Sequence, residues 1–162
     1  MISYNIDNIY EKLARKLLTA GNVNGTKELT NVQFTLTNLD NNIVSIRGIS
    51  PSYLCGELLW YFMGMNNLEF IARFSKFWTH ISDDGKTSNS AYGYIMTSKF
   101  GFNQVEKVIE QLTADPFSRR AVINLNTPNK RMIETKDEPC TIALQFMIRD
   151  GRLDCTAIMR SN

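Results

Sequence analysis

The sequence predicts an α+β fold. Apolar residues recur at helical spacing through the first two thirds of the chain, and the last third reads as strand. The strands do not alternate regularly with helices, as a doubly wound parallel sheet would require. Ile6, Ile9, Tyr10, Leu13 and Leu17 share one helical face, so residues 5–20 read as an amphipathic helix, ended by Gly21 and the polar run to Gly25. Residues 32–37 alternate as a strand should, and residues 38–42 form a polar turn. From Ser52 a second helix starts, capped by the Ser50-Pro51-Ser52 stretch, with Leu54, Leu58, Leu59, Phe62 and Met65 as its apolar stripe. A third helix is predicted over 67–79, carrying Phe70, Ile71, Phe74, Phe77 and Trp78, and residues 82–89 read as a loop. Residues 102–114 form a further helix with Val105, Val108, Ile109 and Leu112 inward, stopped by Asp115-Pro116. Residues 121–126 read as a strand, broken by Thr127-Pro128-Asn129. Residues 142–149 and 152–159 are two apolar-rich strands joined by Asp150-Gly151, a strong signal for a type I′ hairpin turn.

At 162 residues and 43% hydrophobic content, the chain suits one domain over 1–162 with a real core. A net charge of +2 is too mild to argue for a nucleic-acid partner, although a few arginines can still hold a small anion. No apolar run approaches the ~18 residues of a membrane span, and the first residues lack the apolar segment of a signal peptide. A cytoplasmic protein with reduced thiols is expected, because the three cysteines (Cys55, Cys140, Cys155) are an odd number. With one histidine, His80, and no CxxC pair, no metal is expected.

A two-residue loop pairs Arg149 with Arg152, and the register then sets Ile148 against Leu153, Phe146 against Cys155, Leu144 against Ala157 and Ile142 against Met159. These pairs form one apolar face. Carried on, the register sets Cys140 against Ser161 and Thr141 against Arg160, with Arg160 starting on the opposite face unless a bulge brings it round. A cation near a cysteine favours thiolate, the nucleophilic form. Pro139 fixes the backbone just before Cys140. Taken alone, a free cysteine at a strand start reads as a small hydrophobe, and Cys55 and Cys155 read that way.

Glu138-Pro-Cys-Thr141, Leu144-Gln-Phe146, Asp150-Gly151 and Arg160-Ser-Asn162 together resemble the active-site strand pair of the thymidylate synthases and their relatives, the pyrimidine-nucleotide hydroxymethylases. Asp115-Pro-Phe-Ser-Arg-Arg120 is similar to the family's arginine-pair motif, Glu57-Leu-Leu-Trp60 with Gly64 and Asn67 to its glutamate helix, and Ala91-Tyr-Gly93 to its tyrosine-glycine turn. The motifs occur in family order across roughly residues 20–162, and in that order they are specific where each alone is weak.

The resemblance implies a thymidylate-synthase-like α+β fold, a mixed sheet with helices packed on one side, incomplete at the C-terminus because the chain stops inside the Arg-Ser-Asn motif. It implies transfer of a one-carbon unit from the co-substrate 5,10-methylenetetrahydrofolate to C5 of a pyrimidine nucleoside 5′-monophosphate, through an adduct between Cys140 and C6. Glu57 and Tyr92 are then catalytic, organising water and proton transfer. Arg160 and Ser161 hold phosphate, which suits the rigid donor fork of guanidinium. Arg119 and Arg120 reach the phosphate in a neighbouring subunit of a homodimer with shared sites, and Trp78 and Glu57 lie by the folate.

Thr141 stands where thymidylate synthases usually have histidine and Met159 where they commonly have glutamine, which brings the chain closer to the hydroxymethylases. The family's early phosphate-binding arginine has no evident counterpart, Lys27 and Arg47 being the candidates. The alternative is an incomplete remnant that serves as a binding or dimerisation module. An unrelated thiol acyltransferase would want a histidine base for Cys140, and only His80 is available.

Overall fold

The computed structural model describes residues 1–127 and 134–161; Pro128, Asn129 and Asn162 of the motifs above lie outside the described residues. The chain forms two compact units, Met1–Ser50 and Pro51–Asn162. The architecture is α+β.

In the first unit, β1 (Ile2–Ser3) leads into α1 (Ile6–Thr19), whose N-cap Asn5 accepts the Asp7 N–H at 2.8 Å through its side chain. Ile9 is the buried residue of this helix. A short hairpin follows, β2 (Asn22–Val23) and β3 (Thr26–Lys27), with Asn24 and Gly25 both at positive φ in its turn. Of the strand predicted over 32–37, only β4 (Thr35–Leu36) forms, parallel to β1.

The second unit opens with α2 (Pro51–Phe62). Its buried residues are Gly56 and Trp60, while the predicted stripe of Leu54, Leu58, Leu59, Phe62 and Met65 is exposed by 38–79%. The helix expected over 67–79 is broken. Leu68 donates its N–H to Lys86 O at 2.9 Å and Ser88 to Asn66 O at 2.9 Å, so a stretch that would have begun a helix is bonded instead to the 86–88 loop. What remains is a single 3₁₀ turn at Ile71–Arg73 and the short α3 (Phe77–Ile81). Trp60, Leu68, Ile71, Trp78 and Ala91 form one buried cluster; each such large side chain contributes about 1.5–3 kcal/mol by leaving water.

Next come α4 (Tyr92–Thr97) and α5 (Gln104–Ala114), the latter capped by Asn103, whose side chain accepts from Val105 and Glu106. In α5, Val108 and Leu112 are buried as predicted, but Ile109 faces outward and is 58% exposed. The strands β5 (Val122–Asn124), β6 (Thr141–Arg149) and β7 (Arg152–Met159) make an antiparallel sheet in that order. The sheet expected to be mixed is therefore antiparallel among the described residues, and the parallel pairing, β1 with β4, belongs to a separate two-stranded sheet of the first unit. Ile95, Val108 and Leu112 pack on Ala121, Ile123 and Leu125, joined by Leu144, Phe146 and Ile148, so α4 and α5 cover one sheet face. β7 is an edge strand among the described residues, and all of its residues are exposed.

Two close contacts fix α4, which carries Tyr92. The buried Gln104 amide donates to Ile95 O at 3.0 Å and Asn124 O at 3.1 Å, and accepts the Asn124 N–H at 3.0 Å, tying α4 and α5 to β5. Gly93 lies against α2 so closely that a Cβ there would stand 2.1 Å from Tyr61 O. No described helix is long and apolar enough to cross a membrane.

Candidate active site

The hairpin turn forms as its residues dictate, with Asp150 at φ 51° and Gly151 at φ 71°, both positive as a type I′ turn demands. The predicted register holds from Arg149↔Arg152 to Ala143↔Ile158. It then shifts by one, because Thr141 pairs with Met159 and Ile142 is left as the extra residue of a bulge. Cys140 therefore lies level with Arg160, whose N–H donates to Cys140 O at 2.9 Å, rather than with Ser161. The bulge resolves the difficulty that strict alternation posed for Arg160.

The half-buried Cys140 sits in a stretch fastened at every residue. Arg160 donates Nε to Pro139 O at 3.1 Å and Nη2 to Glu138 O at 2.8 Å, and Nη1 reaches Ser161 Oγ at 3.4 Å. The Ser161 hydroxyl donates to Cys140 Sγ at 3.4 Å, a bond it can make to thiolate as well as to thiol. From the other side, Tyr92 Oη accepts the N–H groups of both Cys140 and Thr141, each at 3.1 Å. Its own O–H remains a donor. Asn126 Nδ2 also donates to Pro139 O at 3.3 Å.

Glu57 occupies the middle of a ladder on α2. Its Oε1 accepts the hydroxyls of Tyr53 at 2.9 Å and Tyr61 at 3.0 Å, one helical turn either way. Burial, then the Glu57 carboxylate, pushes Tyr53 up to about 12. The same two causes, in the same order, push Tyr61 well above the usual tyrosine value. The ladder extends at both ends. Trp78 Nε1 donates to Tyr53 Oη at 3.2 Å, and the Tyr61 ring meets the Tyr92 ring edge-on at 5.9 Å between centroids. A chain of contacting side chains thus runs from Trp78 through Tyr53, Glu57, Tyr61 and Tyr92 to the Cys140 peptide. Trp78 itself is 6% exposed, in T-shaped contact with Trp60 at 5.0 Å, which leaves little ring face for a ligand.

Arg119 and Arg120 stand apart from this chain. Both are exposed, and among the described residues each is held through its backbone: Arg119 O accepts from Gln145 Nε2 at 3.2 Å, and Arg120 N–H donates to Ser118 Oγ at 3.2 Å. Arg120 lines an open cleft of about 400 Å³ between α5 and β5, with Lys107, Glu110 and Gln111. Lys27, a candidate for the early phosphate contact, donates to Leu18 O.

Sequence reasoning missed Tyr53 and Tyr61, although their four-residue spacing from Glu57 was a usable signal. It also missed Asp137, Ser88 and Ser90, where nothing local connects partners so far apart in the chain. Among the described residues no group of three or more His, Cys, Asp or Glu is placed to hold a metal ion.

A cysteine with a hydroxyl on its sulfur, a guanidinium clasping the preceding carbonyls and a tyrosine-carboxylate ladder nearby is an arrangement that covalent addition to an electrophilic ring would use. The thymidylate synthase family model matches residues 7–162. The deoxyuridylate hydroxymethyltransferase of Bacillus phage SP01 is 34% identical over 128 residues, 72% of this chain and 33% of that protein. The protein of the same name from Pseudomonas phage M6 is 36% identical over 118 residues, 72% of this chain and 34% of its own length. The deoxycytidylate 5-hydroxymethyltransferase of Enterobacteria phage T4 is 27% identical over 119 residues, 70% of this chain and 48% of that protein. The chain thus spans about a third to a half of the length of these relatives. With the family match running from residue 7 to residue 162, the chain belongs to the thymidylate synthase family.

Proposed function

We propose that this chain takes part in one-carbon transfer from 5,10-methylenetetrahydrofolate to C5 of a pyrimidine nucleoside 5′-monophosphate, with Cys140 as the covalent nucleophile. The observation that supports this most is the convergence of Tyr92, Arg160 and Ser161 on Cys140 in a chain of this family. Cys140 Sγ adds to C6 of the base, and the electron pair of the C5–C6 double bond moves onto C5 and the C4 substituent. C5 then bonds to the carbon that the folate supplies at the formaldehyde level. Glu57 and Tyr92 order water to take the C5 proton, and the folate departs, leaving an exocyclic methylene. Addition of water there gives a hydroxymethyl group, and breaking the S–C6 bond frees Cys140. The hydroxymethyl outcome, rather than hydride transfer to give methyl, is favoured by Thr141 and Met159 and by the names of the relatives.

The nucleotide phosphate is assigned to Arg160 and Ser161. Three of the five guanidinium N–H donors of Arg160 are engaged in the bonds above, so two remain for a phosphate. Arg119 and Arg120, exposed and with backbone hydrogen bonds among the described residues, are assigned to the phosphate of a neighbouring subunit in a homodimer. Trp78 is assigned to the folate side; being nearly buried, it acts by holding Tyr53 and through it Glu57. The single catalytic domain expected over 1–162 belongs to the same reading.

The test is covalent trapping by a 5-fluoro-pyrimidine nucleotide with methylenetetrahydrofolate, read by mass spectrometry. An adduct on the peptide containing Cys140, absent after Cys140→Ala, is expected. An adduct that persists in that variant removes Cys140 from the mechanism. Nucleotide binding with no adduct in the unsubstituted chain would instead support a binding module.

A further inference from the structure

Three residues before Cys140 lies a carboxylate that the proposed reaction does not use. Asp137 is 2% exposed. Its Oδ2 accepts the Ser88 hydroxyl at 2.7 Å, the Asn89 N–H at 2.7 Å and the Ser90 N–H at 3.3 Å, and its Oδ1 accepts the Ser90 hydroxyl. All four donors are neutral, and all come from the loop that leads directly into Tyr92. An outer layer repeats the connection: Asp83 accepts the Thr135 hydroxyl at 2.6 Å and the Lys136 N–H at 2.9 Å.

The same two stretches meet again at the nucleophile, where Tyr92 accepts the Cys140 and Thr141 N–H groups. Two links therefore join residues 88–92 to residues 137–141. A single link is a pivot, about which the cysteine peptide can swing; two links, three residues apart, remove that freedom. A buried carboxylate is costly unless hydrogen-bonded, and a set of short donors that satisfies it tolerates little displacement. We infer that Asp137 is a positioning residue for Cys140, its carboxylate locking residues 88–90 to the segment before the nucleophile so that Tyr92 and Cys140 keep one mutual placement. The inference rests on the reading of Cys140 as the nucleophile.

The test compares Asp137→Ala with Asp137→Asn in the full chain. Asparagine keeps an oxygen for the Asn89 and Ser90 N–H groups, and its amide can donate to the Ser90 hydroxyl, so it preserves placement without the charge. Two readouts are taken. The first is the iodoacetamide alkylation rate of Cys140 across pH, with Cys55 and Cys155 in the same molecule as controls. The second is the rate of adduct formation at saturating 5-fluoro-pyrimidine nucleotide against the half-saturating concentration.

Alanine is expected to move the Cys140 alkylation profile while leaving Cys55 and Cys155 unchanged. It should also lower the maximal adduct rate on the order of 100-fold, as misplacement of about 1 Å does, with little change in half-saturation. Asparagine should restore both. Unchanged Cys140 behaviour in the alanine variant overturns the inference, and so does an asparagine variant as impaired as alanine. A rise in reactivity of all three cysteines together also overturns it, because Asp137 would then serve the stability of the unit as a whole. Ser88→Ala combined with Ser90→Ala keeps the carboxylate and removes two donors; it should reproduce the alanine pattern more weakly, and no selective change at Cys140 counts against the inference. If the unsubstituted chain forms no adduct, the one-carbon reading fails, while the alkylation arm still judges Asp137.

Discussion

Residues 137–141 and 117–120 both carry groups assigned to the proposed reaction, and they are held to different degrees. In the first stretch every residue is bonded to a distant part of the chain: Asp137 to the 88–90 loop, Glu138 and Pro139 to Arg160, Cys140 and Thr141 to Tyr92. In the second, Phe117 O and Arg119 O accept from Arg149 Nη2 at 3.4 Å and Gln145 Nε2 at 3.2 Å, the remaining bonds are local, and both arginine side chains are exposed. Phe117 N–H donates to Asp115 Oδ1 at 3.0 Å and Ser118 N–H to Asp115 O at 3.0 Å, while Phe117 is 78% exposed. The difference follows from what each stretch is asked to do. A sulfur that forms a bond needs its geometry set before the ligand arrives, since displacement of an ångström is expensive in rate. A guanidinium meeting a phosphate can be ordered by the ligand itself, because charge attraction falls off slowly with distance.

The contrast breaks most severely at Gly93. An added Cβ would stand 2.1 Å from Tyr61 O and 2.4 Å from Tyr61 Cα, both backbone atoms that cannot rotate away. Gly93→Ala must push α4 from α2 and carry Tyr92 off Cys140. The expected loss of stability is at or above the top of the ~1–3 kcal/mol range for overpacking, read from the urea midpoint. A midpoint equal to that of the unsubstituted chain would show that the two helices are not in such contact.

Tyr92→Phe is gentler and more local. It leaves the ring contact with Tyr61 and removes the acceptor for two peptide N–H groups. Because the site is half-buried and water can substitute, the cost should be about 1 kcal/mol, the low end for an unsatisfied donor. The sharper readout is amide hydrogen exchange: faster at Cys140 and Thr141, unchanged at Leu144 and Phe146. Uniform acceleration along β6 would mean that Tyr92 supports the strand and not the cysteine peptide.

How much of this was legible in the sequence depended on contact range. The hairpin was readable because Asp150-Gly151 fixes its own turn and the turn fixes the register. The readability ended at Ile142, where the bulge depends on neighbours the alternation does not encode. Glu57 with Tyr53 and Tyr61 could have been read, being one turn apart on a helix. Asp137 with Ser88 and Ser90 could not, because those bonds span 47 to 49 residues and carry no local pattern. The broken helix over 67–79 failed for the same reason: its apolar spacing was helical, but Leu68 bonds to Lys86 and Ser88 to Asn66. Likewise the apolar stripe expected of α2 is exposed, Met65 lies beyond the helix end at Phe62, and Trp60, off that stripe, is the large side chain that is buried.

The relay on α2 gives a smaller, pH-dependent effect. Folded Tyr53 holds its proton up to about 12, and Tyr61 higher still, whereas an unfolded tyrosine releases its proton near ~10. Between these values the folded state binds more protons than the unfolded one, so stability must fall as pH rises through that window and be unaffected by these groups below it. Ultraviolet titration should find tyrosines among the six that ionise late, and Tyr61→Phe should flatten the decline of the urea midpoint above pH ~10. An undiminished slope in that variant would place the effect elsewhere.

The smallest effect on stability belongs to the open stretch. Arg119→Ala removes an exposed side chain whose residue is fixed through its carbonyl, so the unfolding midpoint should not move. If Arg119 reaches a phosphate in a second subunit, the change should appear only in function: weaker nucleotide binding, with a shallower salt dependence than the unsubstituted chain because one charge contact is gone. Mixing decides whether the site is shared. Arg119→Ala subunits keep an intact Cys140, and Cys140→Ala subunits keep an intact Arg119, so a mixed dimer assembles one complete site from two defective chains. Recovery of adduct formation on mixing, absent from either variant alone, is the expected outcome. Its absence, in a sample where exchange of subunits is shown by mass, would confine Arg119 to its own subunit and remove the functional reason for leaving residues 117–120 so loosely held.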